Sequence, residues 1–395
     1  MAGRLPMGQK ELLRSKTLEM VRQGKMSLIA ASSTLRISYR QAIRLYAKYR
    51  REGDAGLIHG NYGKPSNNRI TEKIKGKILE AYKQKYCDFG PTFACEKLSE
   101  RDGIKIPVST LRRILITEGL WKRKKRSREY RSRRERKAYF GELIQFDGSH
   151  HRWFEERGGV CCLMTMIDDA TNIRYAQFFE QETTESAMTV LSYWIKKYGI
   201  PERLYCDKKN AFVLTREPSD KELLAGITKP KSHFGRVCEK LGIEVIPANS
   251  PQAKGRVERN HGVDQDRLVK ELRLTGISTI REANRFLEET YLPQMNRKFS
   301  RPPSSPHNRH VPIGKVNLHE IMSFEYERTV SNDYVVRFNN RLIQILKTNK
   351  FLPRPKDNVI IRILLDGQFQ IIFKDSKLQF KEINQIKGQL NQDVA

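Results

Sequence analysis

The order of apolar runs between residues 142 and 272 constrains the fold more than any other feature of this chain. Residues 143–150, 160–168 and 173–180 are three successive apolar-rich stretches of strand length, separated by turn formers. A helical period follows over 184–198, with Ala187, Val190, Leu191, Trp194 and Ile195 on one face. Residues 204–207 predict a fourth strand, 234–241 a short helix and 243–247 a fifth strand, and a last helix begins near Glu258 and runs to about Leu272. Three strands, helix, strand, helix, strand, helix is the order of a mixed α/β sheet with helices on its faces, a layout that gathers functional groups at the ends of strands.

Three acids occupy such places. Asp147 closes Leu-Ile-Gln-Phe-Asp, Asp207 closes Arg-Leu-Tyr-Cys-Asp, and Glu258 opens the last helix within Asn-Ser-Pro-Gln-Ala-Lys-Gly-Arg-Val-Glu-Arg. Hard divalent cations take carboxylate oxygens and keep several waters, so a few acids from distant elements can hold them without a dedicated cage. Two such ions can activate a water or a 3′-hydroxyl and stabilise the leaving oxygen of a phosphodiester. Residue type alone does not select these three. Asp168 and Asp169 lie as close to a strand end as Asp147, and Glu258 could instead pair with Lys254 one turn earlier.

Upstream the chain changes character. Residues 1–140 carry 35 Lys and Arg against 13 Asp and Glu, a net +22 out of +29, which leaves +7 for the other 255 residues. Charge placed so unevenly points to a polyanionic partner for the N-terminal third, although a basic solvated surface has the same composition. Helical stretches at 11–23, 27–33 and 38–50 predict a helix-turn-helix domain over 8–52. On the third stretch Ile37, Ala42, Ile43 and Tyr46 are expected inward, leaving Tyr39, Arg40, Gln41, Arg44 and Lys48 outward; a plain three-helix bundle would share this pattern. A turn-rich segment separates it from a second such domain over 68–120, with helices at 70–85, 92–100 and 109–118. Ser109 is the expected N-cap of the last, and Arg112 and Arg113 its DNA-facing residues. Residues 121–137 hold eleven basic and two acidic residues. Such a run cannot fold alone, and it predicts a basic DNA-binding linker over 121–138, with Lys124, Arg126 and Arg133 on phosphates.

Residues 213–232 read as a polar insertion, and the chain turns loop-like after Pro293. Alternating runs at 325–330, 334–338, 341–345, 359–364 and 369–373 predict a small β-barrel over 318–380. The six cysteines form no CxxC pair and sit mostly in apolar stretches, as buried thiols in a reducing compartment do. His150 and His151, neighbours on a strand, point to opposite faces, so no structural zinc site is expected. No signal peptide is visible, and no apolar run reaches the roughly eighteen residues of a membrane span, so a soluble cytoplasmic, nucleoid-associated protein without membrane contact is expected.

With these residues in view, 142–270 resembles the integrase catalytic core of DDE transposases, which has an RNase H-like fold and implies a core domain over 139–300, and the segment 249–259 is the most specific part of the likeness. The whole order of helical units, core and small β-domain is similar to insertion-sequence transposases of the ISNCY group. The resemblance implies that Asp147, Asp207 and Glu258 are the catalytic and metal-binding acids, with Asp147 favoured over Asp168 and Asp169, and that two Mg²⁺ (or Mn²⁺) ions serve each active site. It implies binding to double-stranded DNA at terminal inverted repeats and at a target, with at least a dimer assembled on DNA. Lys254, Arg256 and Arg259 then flank Glu258 with charge that steers phosphates. The interval of 51 residues from Asp207 to Glu258 exceeds the spacing usual in integrases, and 213–232 accounts for the excess. The zinc-binding His/Cys module of retroviral integrases is missing. A DNA-binding regulator with an inactive core, and a structure-selective nuclease of the same fold, are the alternatives.

Overall fold

A computed structural model of the chain describes residues 7–62, 69–123, 135–207, 230–248 and 255–383, with residues 212, 217, 218, 220 and 223 between them. It divides into two compact units, 1–124 and 125–395. The first unit is helical. Helices α1 (Gln9–Arg22), α2 (Leu28–Thr34) and α3 (Tyr39–Glu52) form one group. Ser27 and Ser38 cap α2 and α3, accepting hydrogen bonds from the Ala30 and Gln41 amides. The Tyr49 hydroxyl donates to Glu19 at 2.8 Å and ties α3 to α1. Ala42 is fully buried whereas Ile43, expected inward, is 44 % exposed, because one residue along a helix turns the side chain by about 100°. Helices α4 (Glu72–Lys85), α5 (Pro91–Arg101) and α6 (Val108–Thr117) form the second group. Ser109 does not cap α6: the Pro107 carbonyl already accepts from the Thr110 amide at 3.0 Å, so the helix starts one residue earlier.

The second unit is built on a five-stranded sheet of β1 (Ile144–His151), β2 (Cys161–Asp168), β3 (Arg174–Phe179), β4 (Arg203–Cys206) and β5 (Glu244–Pro247), in the order β3-β2-β1-β4-β5. The first three strands are antiparallel, while β4 and β5 run parallel to β1. Helix α7 (Thr184–Tyr198) packs on β2 and β3, and α8 (His233–Lys240) joins it on that face, where Phe234 meets Phe146. A reciprocal capping box between Thr183 and Ser186 starts α7, and Gly199 at φ +102° ends it. Helix α9 (Gly255–Leu274) lies along β1. Its end is held by Arg157, which donates to the Leu272 and Ile277 carbonyls.

The free edge of the sheet, β3, is covered rather than left open. Asn284 accepts from the Phe178 amide at 2.7 Å and donates to its carbonyl at 3.0 Å; Asn296 does the same for Arg174, at 2.9 Å each way. Both asparagines come from helices α10 (Ile280–Phe286) and α11 (Leu292–Phe299), joined through a π-turn over Leu287–Tyr291. Two amide side chains thus satisfy ladder groups that would otherwise recruit another strand. The chain does not become loop-like at Pro293, because a proline in the first turn of α11 gives up no amide that the helix needs.

Beyond helix α12 (Leu318–Ile321), strands β6 (Ser323–Thr329), β7 (Val335–Phe338), β8 (Arg341–Ile345), β9 (Asn358–Leu364), β10 (Phe369–Phe373), β11 (Ser376–Leu378) and β12 (Phe380–Ile383) form two sheets, β11-β10-β9-β6 and β12-β8-β7. The expected closed barrel is corrected here: among the described residues the two sheets share no ladder, and they enclose one core that includes Val336, Phe338, Ile343, Ile361 and Ile371. Short strands broken by Asn339-Asn340 and Asp366-Gly367 look alike in sequence whether the sheet closes or splits. The domain packs on α8, where Lys240 pairs with Glu325 and His233 lies 4.9 Å from the Tyr326 ring.

Candidate active site

Asp147 is the fourth of eight residues in β1, not its end. The strand continues through Gly148-Ser149-His150-His151 because ladder pairing with Cys161–Met164 needs backbone groups, not apolar side chains. Asp207 follows β4 directly. The parallel ladder pairs Ile144 with Leu204 and Gln145 with Tyr205; carried two residues further, it sets Asp147 opposite Asp207. Register partners on adjacent strands share a face of the sheet, with backbones about 4.8 Å apart.

Helix α9 is seated on that face by three successive contacts. Gln145 Oε1 accepts from the Val257 amide at 3.1 Å, Asp147 Oδ2 lies 3.9 Å from His261 Nδ1, and Gln265 donates to Ser149 Oγ at 3.2 Å. Residues 145, 147 and 149 advance about 13 Å along a strand, and 257, 261 and 265 about 12 Å along a helix, so the two elements stay in step. Arg256 and Glu258 then flank the seam on opposite sides, each about 100° from Val257. Arg256 reaches Asp169 at the end of β2, which places Glu258 on the flank turned toward β4 and Asp207. Glu258 is exposed there.

The neighbouring aspartates are occupied by the fold. Asp168 is fully buried and accepts from the Gly141 amide at 3.0 Å and from the Thr171 amide and hydroxyl, both at 2.7 Å. Burial pushes its carboxyl above the usual range, against the pull of those hydrogen bonds. Asp169 is also fully buried and collects Gln145 Nε2 at 3.0 Å, the Lys137 amide at 2.8 Å and Arg256. The Asp147 side chain keeps 14 % exposure. Physical setting therefore separates three acids that sequence position could not.

Arg256, expected to face phosphate, pairs with Asp169 at 17 % side-chain exposure. Arg259 is exposed on the outer side of the same helix. In the first unit Arg40, Arg44 and Lys48 form an exposed stripe at four-residue spacing on α3, and Arg112 and Arg113 are exposed on α6. Lys124, Arg126, Arg133 and Lys254, like most of the 213–232 insertion, lie outside the described residues. The end of the basic run is anchored: Arg136 donates to the Asp169 carbonyl at 2.9 Å, and Lys137 pairs with Glu142 at 3.1 Å.

Sequence reasoning missed Gln145, His261 and the buried pair of Arg174 on β3 with Asp264 on α9, at 2.8 Å, which Tyr291 completes with a hydrogen bond of 2.8 Å. The spacing of Val257, His261 and Gln265 is a helical stripe, but its polar members do not announce which strand they meet. Asp147 and Asp207, both partly buried, and the exposed Glu258 offer oxygen donors only, the chemistry that suits Mg²⁺ or Mn²⁺.

No protein-family model matches the chain. It is 34 % identical over 382 residues to a Sinorhizobium fredii protein named as a transposase, y4bF, covering 96 % of this chain and 82 % of that one. It is 30 % identical over 406 residues to the transposase for insertion sequence IS1202 of Streptococcus pneumoniae, covering 93 % and 85 %. Among solved structures, a chain of the simian T-cell lymphotropic virus intasome in complex with a PP2A regulatory subunit aligns at 14 % identity and a TM-score of 0.34, over 72 % of this chain and 96 % of that one. The catalytic core domain of BIV integrase aligns at 22 % identity and a TM-score of 0.28, over 44 % and 91 %. The two relatives match nearly the whole of this chain and most of their own length, and the chain belongs to the insertion-sequence transposases.

Proposed function

We propose that the chain binds the terminal inverted repeats of its own element and cuts and joins DNA strands at Asp147, Asp207 and Glu258. What supports this reading is the parallel register of β1 and β4, which, carried two residues past Gln145 and Tyr205, brings Asp147 and Asp207 onto one face of the sheet, together with the pairing of Arg256 and Asp169, which leaves Glu258 to the other flank of α9. Asp168 and Asp169 lie as near in sequence but are fully buried and held by the protein's own donors, whereas Asp147 keeps 14 % side-chain exposure and Glu258 is exposed. These three residues would hold Mg²⁺ or Mn²⁺, two ions in the arrangement suited to phosphodiester chemistry, which lower the pKa of an attacking water or 3′-hydroxyl and neutralise the leaving oxygen. The protein's share is positioning. Gln145 fixes the first turn of α9 against β1, and His261 stands beside Asp147, so the strand and helix that carry two of the acids move as one body. The exposed stripe of Arg40, Arg44 and Lys48, with Arg112 and Arg113, supplies the repeat-binding surface, in two helix-turn-helix domains over 8–52 and 68–120. Assembly of at least two copies on DNA follows from the need to hold two element ends.

The test is a strand-cleavage and strand-transfer assay on repeat-end DNA. Asp147→Asn, Asp207→Asn and Glu258→Gln should each abolish both steps with end binding kept, and a chelator should do the same. Strand transfer at the wild-type rate by any of the three rejects the triad, and cleavage without divalent metal rejects the metal site. Full binding with no cleavage by the wild type under any metal supports a regulator with an inactive core.

A further inference from the structure

We propose that His150, Cys162 and Glu182 form a zinc-binding site on the face of the sheet opposite the three carboxylates. His150 and Cys162 are direct partners across the β1–β2 ladder, and Cys162 is in turn paired with Phe179, three residues before Glu182. One ligand atom from each of the three lies within 4.8 Å of the others. His150 Nε2 and Glu182 Oε2 are 3.5 Å apart, beyond the usual N–H···O range. That distance is near the roughly 3.4 Å edge of a tetrahedral site with N and O bonds of about 2.1 Å.

The surroundings fit a built site. Glu182 directly precedes Thr183, whose capping box fixes the start of α7, so the carboxylate has a rigid mount. Its side chain is only 5 % exposed and Cys162 is fully buried, whereas the His150 side chain is 48 % exposed and leaves an open side for a fourth ligand such as water. Gly148 lies between them. A Cβ there would stand 2.8 Å from the Glu182 carboxylate and 3.0 Å from Cys162 Sγ, so the space belongs to the ligand groups. Thiolate with imidazole selects Zn²⁺ over Mg²⁺, and the two sites differ by donor chemistry as well as by face. His151 points to the other face, where its ring lies 5.4 Å from Trp153, so the rule that parted the two histidines still holds; what sequence could not supply was the pairing of His150 with Cys162. The bound ion would join β1, β2 and the start of α7 about 10 Å along the strand from Asp147.

The test uses the full chain, tag removed, stripped of metal and titrated with Co²⁺ alone under reducing, anaerobic conditions. One Co²⁺ per chain should bind with a thiolate charge-transfer band, be displaced by one equivalent of Zn²⁺, and be unaffected by millimolar Mg²⁺. Cys162→Ser should lose the band, and His150→Ala, at a half-exposed position that folding tolerates, should weaken binding at least tenfold. Asp147→Asn should leave the titration unchanged. Absence of a thiolate band in the wild type, a band that survives Cys162→Ser, or His150→Ala binding within twofold of wild type overturns the site and leaves His150 and Glu182 as an ion pair. If Cys162→Ser does not fold, the His150→Ala titration decides alone.

Discussion

Replacing Gln145 with leucine should damage catalysis far more than DNA binding, although Gln145 is neither an acid nor a DNA contact. Its amide bridges two buried partners, accepting from the Val257 amide at 3.1 Å and donating to Asp169 at 3.0 Å, and the side chain is 1 % exposed. The Val257 amide belongs to the first described turn of α9, and Gln145 offers it an acceptor from another element. Leucine fills the same space and accepts nothing. Asp169 keeps the Lys137 amide and Arg256, so one buried donor is orphaned, at a cost of about 1–3 kcal/mol. For a unit of this size each kcal/mol lowers Tm by about 2–4 °C, so a loss of roughly 2–12 °C should appear by calorimetry.

The catalytic loss follows from position. Glu258 is the next residue on α9, and a displacement of the first turn by about 1 Å is enough to cost on the order of 10²-fold in a reaction that depends on alignment. Cleavage of repeat-end DNA, measured well below the lowered Tm, should therefore fall about a hundredfold while the binding isotherm for the same DNA stays within twofold. A variant that cleaves within threefold of wild type, or that melts at the wild-type temperature, refutes the account of Gln145 as the link between strand and helix.

Three other outcomes are expected. Arg174→Met should cost about 3–5 kcal/mol in stability, because it leaves Asp264 buried without its cation, and Arg174→Met combined with Asp264→Leu should recover most of it in denaturant titrations. His310 is 8 % exposed, and burial pulls its pKa down to about 4; it accepts from Trp194 Nε1 at 3.0 Å as a neutral ring. A depressed histidine stabilises the fold above its unfolded pKa of about 6.5, so up to about 3 kcal/mol should vanish as pH falls from there to 4, and His310→Phe should flatten the Tm profile in that window. A fragment of residues 1–137 should prefer repeat over random DNA with a steep salt slope, Arg40→Ala or Arg44→Ala should relax preference at single base positions, and Lys124→Ala or Arg126→Ala should weaken all sequences alike. No preference in that fragment, with preference in residues 138–395, would move recognition out of the helical units.

Much of the central sheet was legible because its elements obey the simplest rules. The period that predicts a helix over 184–198 is matched by α7 to the residue, since seven of its side chains are buried on one face and a capping box marks its start. The strand over 160–168 was legible for the opposite reason: all eight residues of β2 are buried, so its pattern is continuous and not alternating. Where sequence failed, the missing information was long-range. Closure of the C-terminal sheet depends on whether the edge strands β6 and β11 of one sheet pair with the edge strands β7 and β12 of the other, which their own residues do not encode. The inward side of α3 was misjudged at Ile43 because isoleucine is apolar wherever it points.

The acids show the same division on a finer scale. Asp147, Asp168 and Asp169 have the same side chain and similar neighbours in sequence, and a likeness to known cores was needed to choose among them. In the fold they part by what reaches them. Asp168 caps the turn at 168–171 and holds the Gly141 amide, and Asp169 gathers the linker end, Gln145 and Arg256. Each is thereby an acceptor already filled by the protein. Asp147 faces His261 at ion-pair distance and keeps some contact with solvent, beside a strand end that carries Asp207. The saturated pair is what allows the accessible set to be held in place: Asp169 grips Arg256, Arg256 is two residues from Glu258, and Gln145, bonded to the same carboxylate, is two residues from Asp147. One buried aspartate thus fixes the strand and the helix that carry two accessible acids, and Asp169→Asn, which keeps an acceptor but removes the charge that holds Arg256, should lower cleavage in step with Gln145→Leu and not add to it in the double variant. Full additivity of the two losses would mean that Asp169 and Gln145 act on separate parts of the site.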